Sequence, residues 1–238
     1  MQVTLTIIRY KPWYIPFAFI AMAIFRLPLY LNKEIQFYKL MGCGKNGTFD
    51  KIPDLQQWAI LATHRLNKNI NHQATSYNSI FGKFISGWFQ FFNCETFTVF
   101  LDPIEGHGLW DKKKVFGEFS EKKEHEGPIA TLTRATIRLS KMSYFWKHVA
   151  PVAEKMHSAK GYITSVGIGE IPWIKQATFS IWQSKEDMKA FAYGMKEHAE
   201  VIKKTRSQRW YSEDMFVRFV VKGSMGSMRG NNPLKGIV

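Results

Sequence analysis

The chain has 238 residues and 27.7 kDa, of which 45% are hydrophobic and 15% aromatic; that is enough apolar material for a sizeable core, and it excludes general disorder. Lys and Arg number 33 against 19 Asp and Glu, a net charge of +14 that calls for an anionic partner such as a membrane surface, a nucleic acid, an acidic protein or a cofactor bearing carboxylates or phosphates. Two cysteines, Cys43 and Cys94, exclude a disulfide scaffold and a cysteine-based zinc site, and point to a reducing, cytosolic compartment.

Taken in chain order, Gln2 to Arg9 alternates as a strand, with Val3, Leu5 and Ile7 opposed to Thr4, Thr6 and Ile8. A helix over 13–31 follows. Arg9 and Lys11 precede an apolar run from Pro12 to Phe25, and Ala21-Met22-Ala23 imitates a signal-peptidase site. The strand ahead of that run argues against export, and Pro16, Arg26 and Pro28 interrupt it before about 20 clean apolar residues accumulate. The expectation is therefore a cytoplasmic protein whose apolar helix packs in the first half or touches the inner face of the cell membrane. Strands at 36–43 and 57–64, a helix at 75–88 and a strand at 95–102 complete a first half over residues 1–110.

Residues 111–126 (DKKKVFGEFSEKKEHE) read as a charged linker. The second half, 127–222, predicts a strand at 128–138, a helix at 142–158, strands at 162–169 and 175–183, a helix at 185–208 and a strand at 213–222, before an irregular Gly/Ser/Asn-rich tail at 223–238. The halves repeat each other. Lys39-Leu40-Met41-Gly42-Cys43-Gly44 corresponds to Thr164-Ser165-Val166-Gly167-Ile168-Gly169, and the Cys94–Phe100 strand to Glu213–Phe219. Strand-helix-strand-strand-helix-strand, twice, is the ferredoxin-like plan. The fold class is thus α+β: two tandem ferredoxin-like (βαββαβ) repeats packed as an intrachain α/β barrel.

The second half offers the chemistry. In the strand 128–138, Ala130, Leu132, Arg134, Thr136 and Arg138 share a face; in the strand 175–183, Gln176, Thr178, Ser180 and Trp182 do. Polar faces on central strands either meet solvent or line a cavity. In the helix 185–208, His198 falls on the apolar stripe with Met188, Phe191, Met195 and Ile202. It reads either as a core histidine satisfied by one hydrogen bond or as an axial haem ligand. The following Lys203, Lys204 and Arg206 are either a solvated helix end favoured by the macrodipole or partners for propionates. Cys43 is a weaker thiolate candidate. The seven histidines show no zinc spacing, and no aromatic RNA-binding motif sits on a central strand, so a nucleic-acid partner is not expected.

Trp58-Ala59-Ile60-Leu61-Ala62-Thr63, the run Gly127–Arg138, Gly167-Ile168-Gly169-Glu170-Ile171-Pro172 and Gln176–Trp182, together with His198-Ala199, Arg206, Trp210, Glu213 and Arg218-Phe219, resemble the spheroidene monooxygenase family. The resemblance runs over nearly the whole chain and is densest from Gly127 to Phe219. It implies a haem b-dependent monooxygenase that hydroxylates and then oxidises C-2 of an apolar, acyclic carotenoid-like molecule, using O2 and reduced ferredoxin. Carried over, it makes His198 the leading candidate for the iron ligand and Arg134, Arg138 and Trp182 candidates for the opposite wall of the pocket, while Lys203 and Arg206 are cofactor-binding candidates by their position near His198. Glu170, Arg206, Glu213 and Arg218 match the family motif without a role assigned by it. The competing expectations are a haem enzyme of similar fold with dehydratase- or peroxidase-like chemistry, and a haem-binding protein without turnover. Peripheral membrane contact and oligomer formation are compatible with all three. The aromatic stretch Phe81–Phe92 has no assignment.

Overall fold

The computed structural model describes every residue except 46, 48–49, 66–75, 120–123, 195–203, 206 and 238, and the side chains of 149–154. Its elements are β1 (Gln2–Arg9), α1 (Ile15–Ile24), α2 (Arg26–Leu31), β2 (Ile35–Gly44), β3 (Pro53–His64), α3 (Tyr77–Phe81), α4 (Lys83–Phe91), β4 (Glu95–Gly108), β5 (Ile129–Ile137), α5 (Met142–Met156), β6 (Tyr162–Ile171), β7 (Lys175–Trp182), α6 (Lys185–Gly194) and β8 (Tyr211–Gly226). Hydrogen-bonded strands run in the order β1-β3-β2-β6-β7-β5-β8-β4 and close as a barrel. The α+β plan of two ferredoxin-like repeats forming one α/β barrel therefore holds.

The chain divides into two compact units, residues 1–42, 54–102 and 221–238, and residues 43–53 and 103–220. In the first, β1 lies between β3 and β4, with Leu5 opposite Leu61 and Val99. Covered on both faces, β1 must satisfy its threonines internally. Thr6 pairs with Thr98 at 2.7 Å and Thr4 with His64 at 2.9 Å.

Two helices differ from expectation, each for a local reason. The predicted helix 13–31 breaks at Phe25, because Pro28 has no N–H and its ring would collide with the carbonyl of Ile24, where α1 ends. The predicted helix 75–88 becomes α3 and α4. Ser76 caps α3 in a reciprocal pair with Ser79, and Gly82 at φ 88° ends it. The break lets α4 run to Phe91 and bring Ile85, Phe89 and Phe92 against Ile80, Phe81, Phe25 and Leu29. The unassigned stretch Phe81–Phe92 is thus an aromatic core beneath α1 and α2.

In the second unit β5 is central, flanked by β7 and β8. Residues 111–126, expected to be a solvated linker, place Val115 and Phe116 in the core, with Phe116 edge-on to Phe219 at 5.3 Å. β8 continues to Gly226, into the stretch expected to be irregular.

Candidate functional site

The register of β5, β6, β7 and β8 decides which side chains share a face. Thr131 lies opposite Ser180 and Arg218, and Ile129 opposite Trp182. Ile129 and Trp182 pack with Met188 and Phe191 of α6, while Ile137 packs with Phe145 and Trp146 of α5. The face bearing Thr131, Thr133, Thr178, Ser180, Trp182 and Arg218 is therefore the one the helices cover.

That face is an unusually polar floor made of small residues. Thr131 and Ser180 hydroxyls meet at 2.9 Å, and the Trp182 indole N–H donates to Ser180 Oγ at 2.9 Å. Tyr162 and Ser165 hydroxyls meet at 2.8 Å, and Ser165 donates to the carbonyl of Gly47 at 2.7 Å. Gly169 stands at a register shift in β6, where a Cβ would come within 2.7 Å of the Gln176 amide. Thr133 is exposed although it lies midway along a central strand, so the helices leave open space above it. Arg218, 4% exposed, pairs with Glu105 and lies over the Phe216 ring at 5.6 Å; Lys185 is 3.9 Å from the same carboxylate. Arg218 Nε and Thr178 Oγ1 are buried without a partner among the described residues. Unsatisfied buried polar atoms are costly, so a floor that keeps two of them is suited to a polar-rimmed ligand.

The opposite face carries a different construction. Arg134 is 1% exposed, and its guanidinium meets Glu213, Glu170 at 3.3 Å and Asp111 at 3.5 Å, 5.1 Å from the centre of the Trp110 ring. The segment behind it is built for this. Gly108, at φ 87°, lets the chain leave β4 so close to β8 that a Cβ would sit 2.1 Å from the Asp214 carbonyl. Asp111 and Lys112 then take left-handed conformations and aim successive N–H groups at the Glu213 carboxylate, at 3.0 and 2.8 Å. Trp110 donates to Glu170 at 2.8 Å and Lys175 to Asp111 at 2.8 Å. Burial alone would raise the Glu213 carboxyl; the Lys112 N–H, the Arg134 guanidinium and the Asp111 N–H outweigh it and hold its pKa below the usual value.

The residues expected to form one wall are thus distributed. Trp182 lies on the helix-covered floor; Arg134, opposite Ala177, faces away from it. Arg138, at the end of β5, is exposed and donates from Nε to the Tyr211 carbonyl at 3.1 Å. Alternation gives each strand a polar face, but the antiparallel register pairs the Arg134 face of β5 with the apolar face of β7. Arg218 and Thr178 are the floor residues that sequence reasoning left without a role. The alternation of Phe216 and Arg218 against Met215, Val217 and Phe219 in β8 is the signal that points to Arg218. His198, Lys203 and Arg206 lie outside the described residues. Among the described residues no group of three or more His, Cys, Asp or Glu is placed to hold a metal ion; a porphyrin brings its own equatorial nitrogens and asks the chain for one axial side chain.

Neither cysteine is in a disulfide. Burial pushes the Cys94 thiol up to about 12, opposed by its hydrogen bond with Tyr10. In the native protein iodoacetamide at about pH 8 should therefore alkylate Cys94 at least about a hundredfold more slowly than a free thiol. A rate equal to that of the urea-unfolded chain would contradict this placement.

No family model matches the chain. Over 221 residues it is 31% identical to a spheroidene monooxygenase of Rhodobacter capsulatus, covering 92% of this chain and 89% of that one. A spheroidene monooxygenase of Cereibacter sphaeroides is 30% identical over 210 residues, 88% of this chain and 63% of its own length. One from Rubrivivax gelatinosus is 38% identical over 129 residues, 54% of this chain and 48% of its own. Among solved structures, an aldoxime dehydratase crystallised with butyraldoxime superposes with a TM-score of 0.63, covering 100% of this chain and 85% of that one at 10% identity, a likeness of fold alone. With near-complete coverage of the Rhodobacter relative at that identity, the chain belongs to the spheroidene monooxygenase family.

Proposed function

We propose that this member of a monooxygenase family is a haem b-dependent oxygenase that hydroxylates and then ketolates C-2 of a carotenoid-like chain, drawing electrons from a reduced ferredoxin. The observation that carries the reading is the helix-covered floor of the second unit, where Thr131, Thr133, Thr178 and Ser180 present only short side chains and Arg218 Nε and Thr178 Oγ1 are buried without a partner among the described residues. A flat macrocycle with a polar rim fits such a surface. His198, in the stretch that follows α6, is the proposed iron ligand, with Lys203 and Arg206 neutralising the propionates. Bound haem would supply the reductive activation of O2, one oxygen entering the substrate and the other leaving as water.

The protein's own part is positioning and exclusion. Trp182, tilted against Phe191 at 5.2 Å and edge-on to Tyr162 at 5.8 Å, closes one end of the floor against water. Arg218 offers a guanidinium whose Nε can donate to a bound oxygen or a propionate. Arg134 and Arg138 enter as positioning residues: Arg134 locks the Trp110–Lys112 segment to β8 from the other face, and Arg138 ties the end of β5 to Tyr211. An apolar substrate is stored in a bilayer, so contact between the Trp13–Leu31 segment and a membrane would bring the protein to it.

The test is spectroscopic, then catalytic. Purified protein titrated with haemin should take up one equivalent with a Soret band, and reduction under CO should shift it to the position of histidine-ligated haem. The loaded protein with reduced ferredoxin should convert an acyclic carotenoid in detergent micelles to hydroxy and keto products. A strongly red-shifted CO band would mean a thiolate ligand, Cys43, in place of His198. Absence of specific haem uptake would overturn the proposal.

A further inference from the structure

The first unit exposes an apolar surface that folding does not account for. On α1, α2 and the turn before them, Trp13 (67% exposed), Phe17, Phe19, Ile20, Leu27, Tyr30 (76%) and Leu31 face solvent, joined by Phe84 and Phe91 (81%) of α4. The two groups are continuous. Phe17 and Phe91 both lie against Phe92, at 4.8 and 4.9 Å, and Trp13 reaches Phe17 through Tyr14. Soluble surfaces rarely leave so many large apolar side chains together, and such a patch marks an interaction site. Its charge says with what. Residues 10–33 and 76–94 contain Lys11, Arg26, Lys33 and Lys83 and no Asp or Glu, and all four cations are exposed.

We infer that this surface docks on an anionic lipid bilayer, lying in the interface without crossing it. Aromatic rings and leucines rimmed by Lys and Arg are the composition that seats at the headgroup level of an acidic membrane. The segment Pro12–Leu31 is long and apolar enough to cross a bilayer, but three features hold it on the protein. Ala18, Ala21, Phe25 and Leu29 are buried among Ile85, Phe89 and Phe92. Phe25 meets Phe84, Trp88 and Phe89 edge-on at 5.7 to 6.4 Å. The Arg26 carbonyl, at the helix break, accepts from Tyr38 at 3.0 Å. Spanning would empty that cluster; lying flat keeps it and covers the exposed side. The inference deepens the apolar-substrate reading, on which its purpose rests.

The experiment is flotation of the full chain with vesicles of phosphatidylcholine alone and of two parts phosphatidylcholine to one part phosphatidylglycerol. The wild type should float with the acidic vesicles and far less with the neutral ones. The variant Lys11→Gln/Arg26→Gln/Lys33→Gln/Lys83→Gln should lose at least about a hundredfold in partitioning, because each cation near an acidic surface is worth about fivefold. The variant Leu27→Ser/Tyr30→Ser/Phe91→Ser should also stay unbound, with an unchanged urea midpoint, since these side chains contribute little to the core. Both variants should keep wild-type turnover of carotenoid presented in detergent micelles, so a wild type that floats but never turns over defeats the monooxygenase reading alone. Equal binding to both vesicle types, or to neither, would overturn the inference. So would concentration-dependent dimerisation abolished by the serine variant, or resistance to extraction of native membranes by high salt and alkaline carbonate.

Discussion

Arg134→Met should lower the stability of the fold by about 3–5 kcal/mol at neutral pH, the cost of removing one partner from a buried ionic cluster. Methionine nearly conserves the volume, so the loss measures the carboxylates left behind, not a cavity. Glu213 and Glu170 would keep their backbone and indole donors but lose the guanidinium that meets both carboxylates. The midpoint and slope of urea unfolding check this. A loss under about 1 kcal/mol would mean that water replaces the guanidinium and that the cluster is surface-like.

The same variant carries a pH signature. In the wild type the Glu213 carboxyl titrates below its unfolded value of about 4.3. Its contribution is therefore fully present above that pH and is lost as the pH falls through the lower, folded pKa. In Arg134→Met the same carboxyl loses the guanidinium that lowers its pKa and keeps only its two N–H donors against burial, so its pKa lies above the wild-type one and protonation relieves the variant first. The stability gap between the two proteins should narrow as the pH is lowered from 7 towards 4. A gap constant over that range would show that Arg134 acts through packing on Trp110 instead of through charge.

The fold was legible because the two repeats carry matching period-2 patterns at matching offsets, and strand alternation survives in β1, β5 and β7 whatever packs on them. Helix continuity was less legible. Pro28 and Gly82 are visible in the sequence, yet whether a proline or glycine kinks, ends or merely weakens a helix depends on what the next turn can bury. At Gly82 the reward for breaking was the Phe89–Phe92 contact with Phe25 and Tyr14. The candidate site was half legible. Alternation tells which residues of one strand share a face but not which face of its neighbour they join; that needs the register, and it is the register that sets Arg134 against Ala177 and Thr131 against Ser180. The docking of Asp111 and Lys112 onto Glu213 was not legible, since aspartate favours left-handed backbone but lysine does not, and neither residue names the carboxylate its N–H will meet.

His198→Ala should abolish stoichiometric haem uptake while the far-UV circular dichroism is unchanged and the unfolding free energy in urea stays within about 1 kcal/mol of wild type, the range of an ordinary side-chain truncation. Imidazole added in solution should restore a Soret band, because the floor and the proposed propionate partners remain. If Lys203 and Arg206 pair with the propionates as proposed, Lys203→Gln/Arg206→Gln should instead weaken uptake by about tenfold and leave the spectrum of the bound form unchanged. Of the two competing histidines, one is hydrogen-bonded and one is exposed. His148 Nδ1 is 2.8 Å from the Tyr144 carbonyl, and its ring clusters with those of Tyr144 and Trp210, at 5.0 and 5.5 Å. His157 is exposed and edge-on to Tyr162 at 5.3 Å, at the Trp182 end of the floor. Alanine at either should leave haem binding intact. Full haem retention with an unchanged spectrum in His198→Ala would remove this residue as the ligand, and loss of the band in His157→Ala would move the iron to the Trp182 end of the floor.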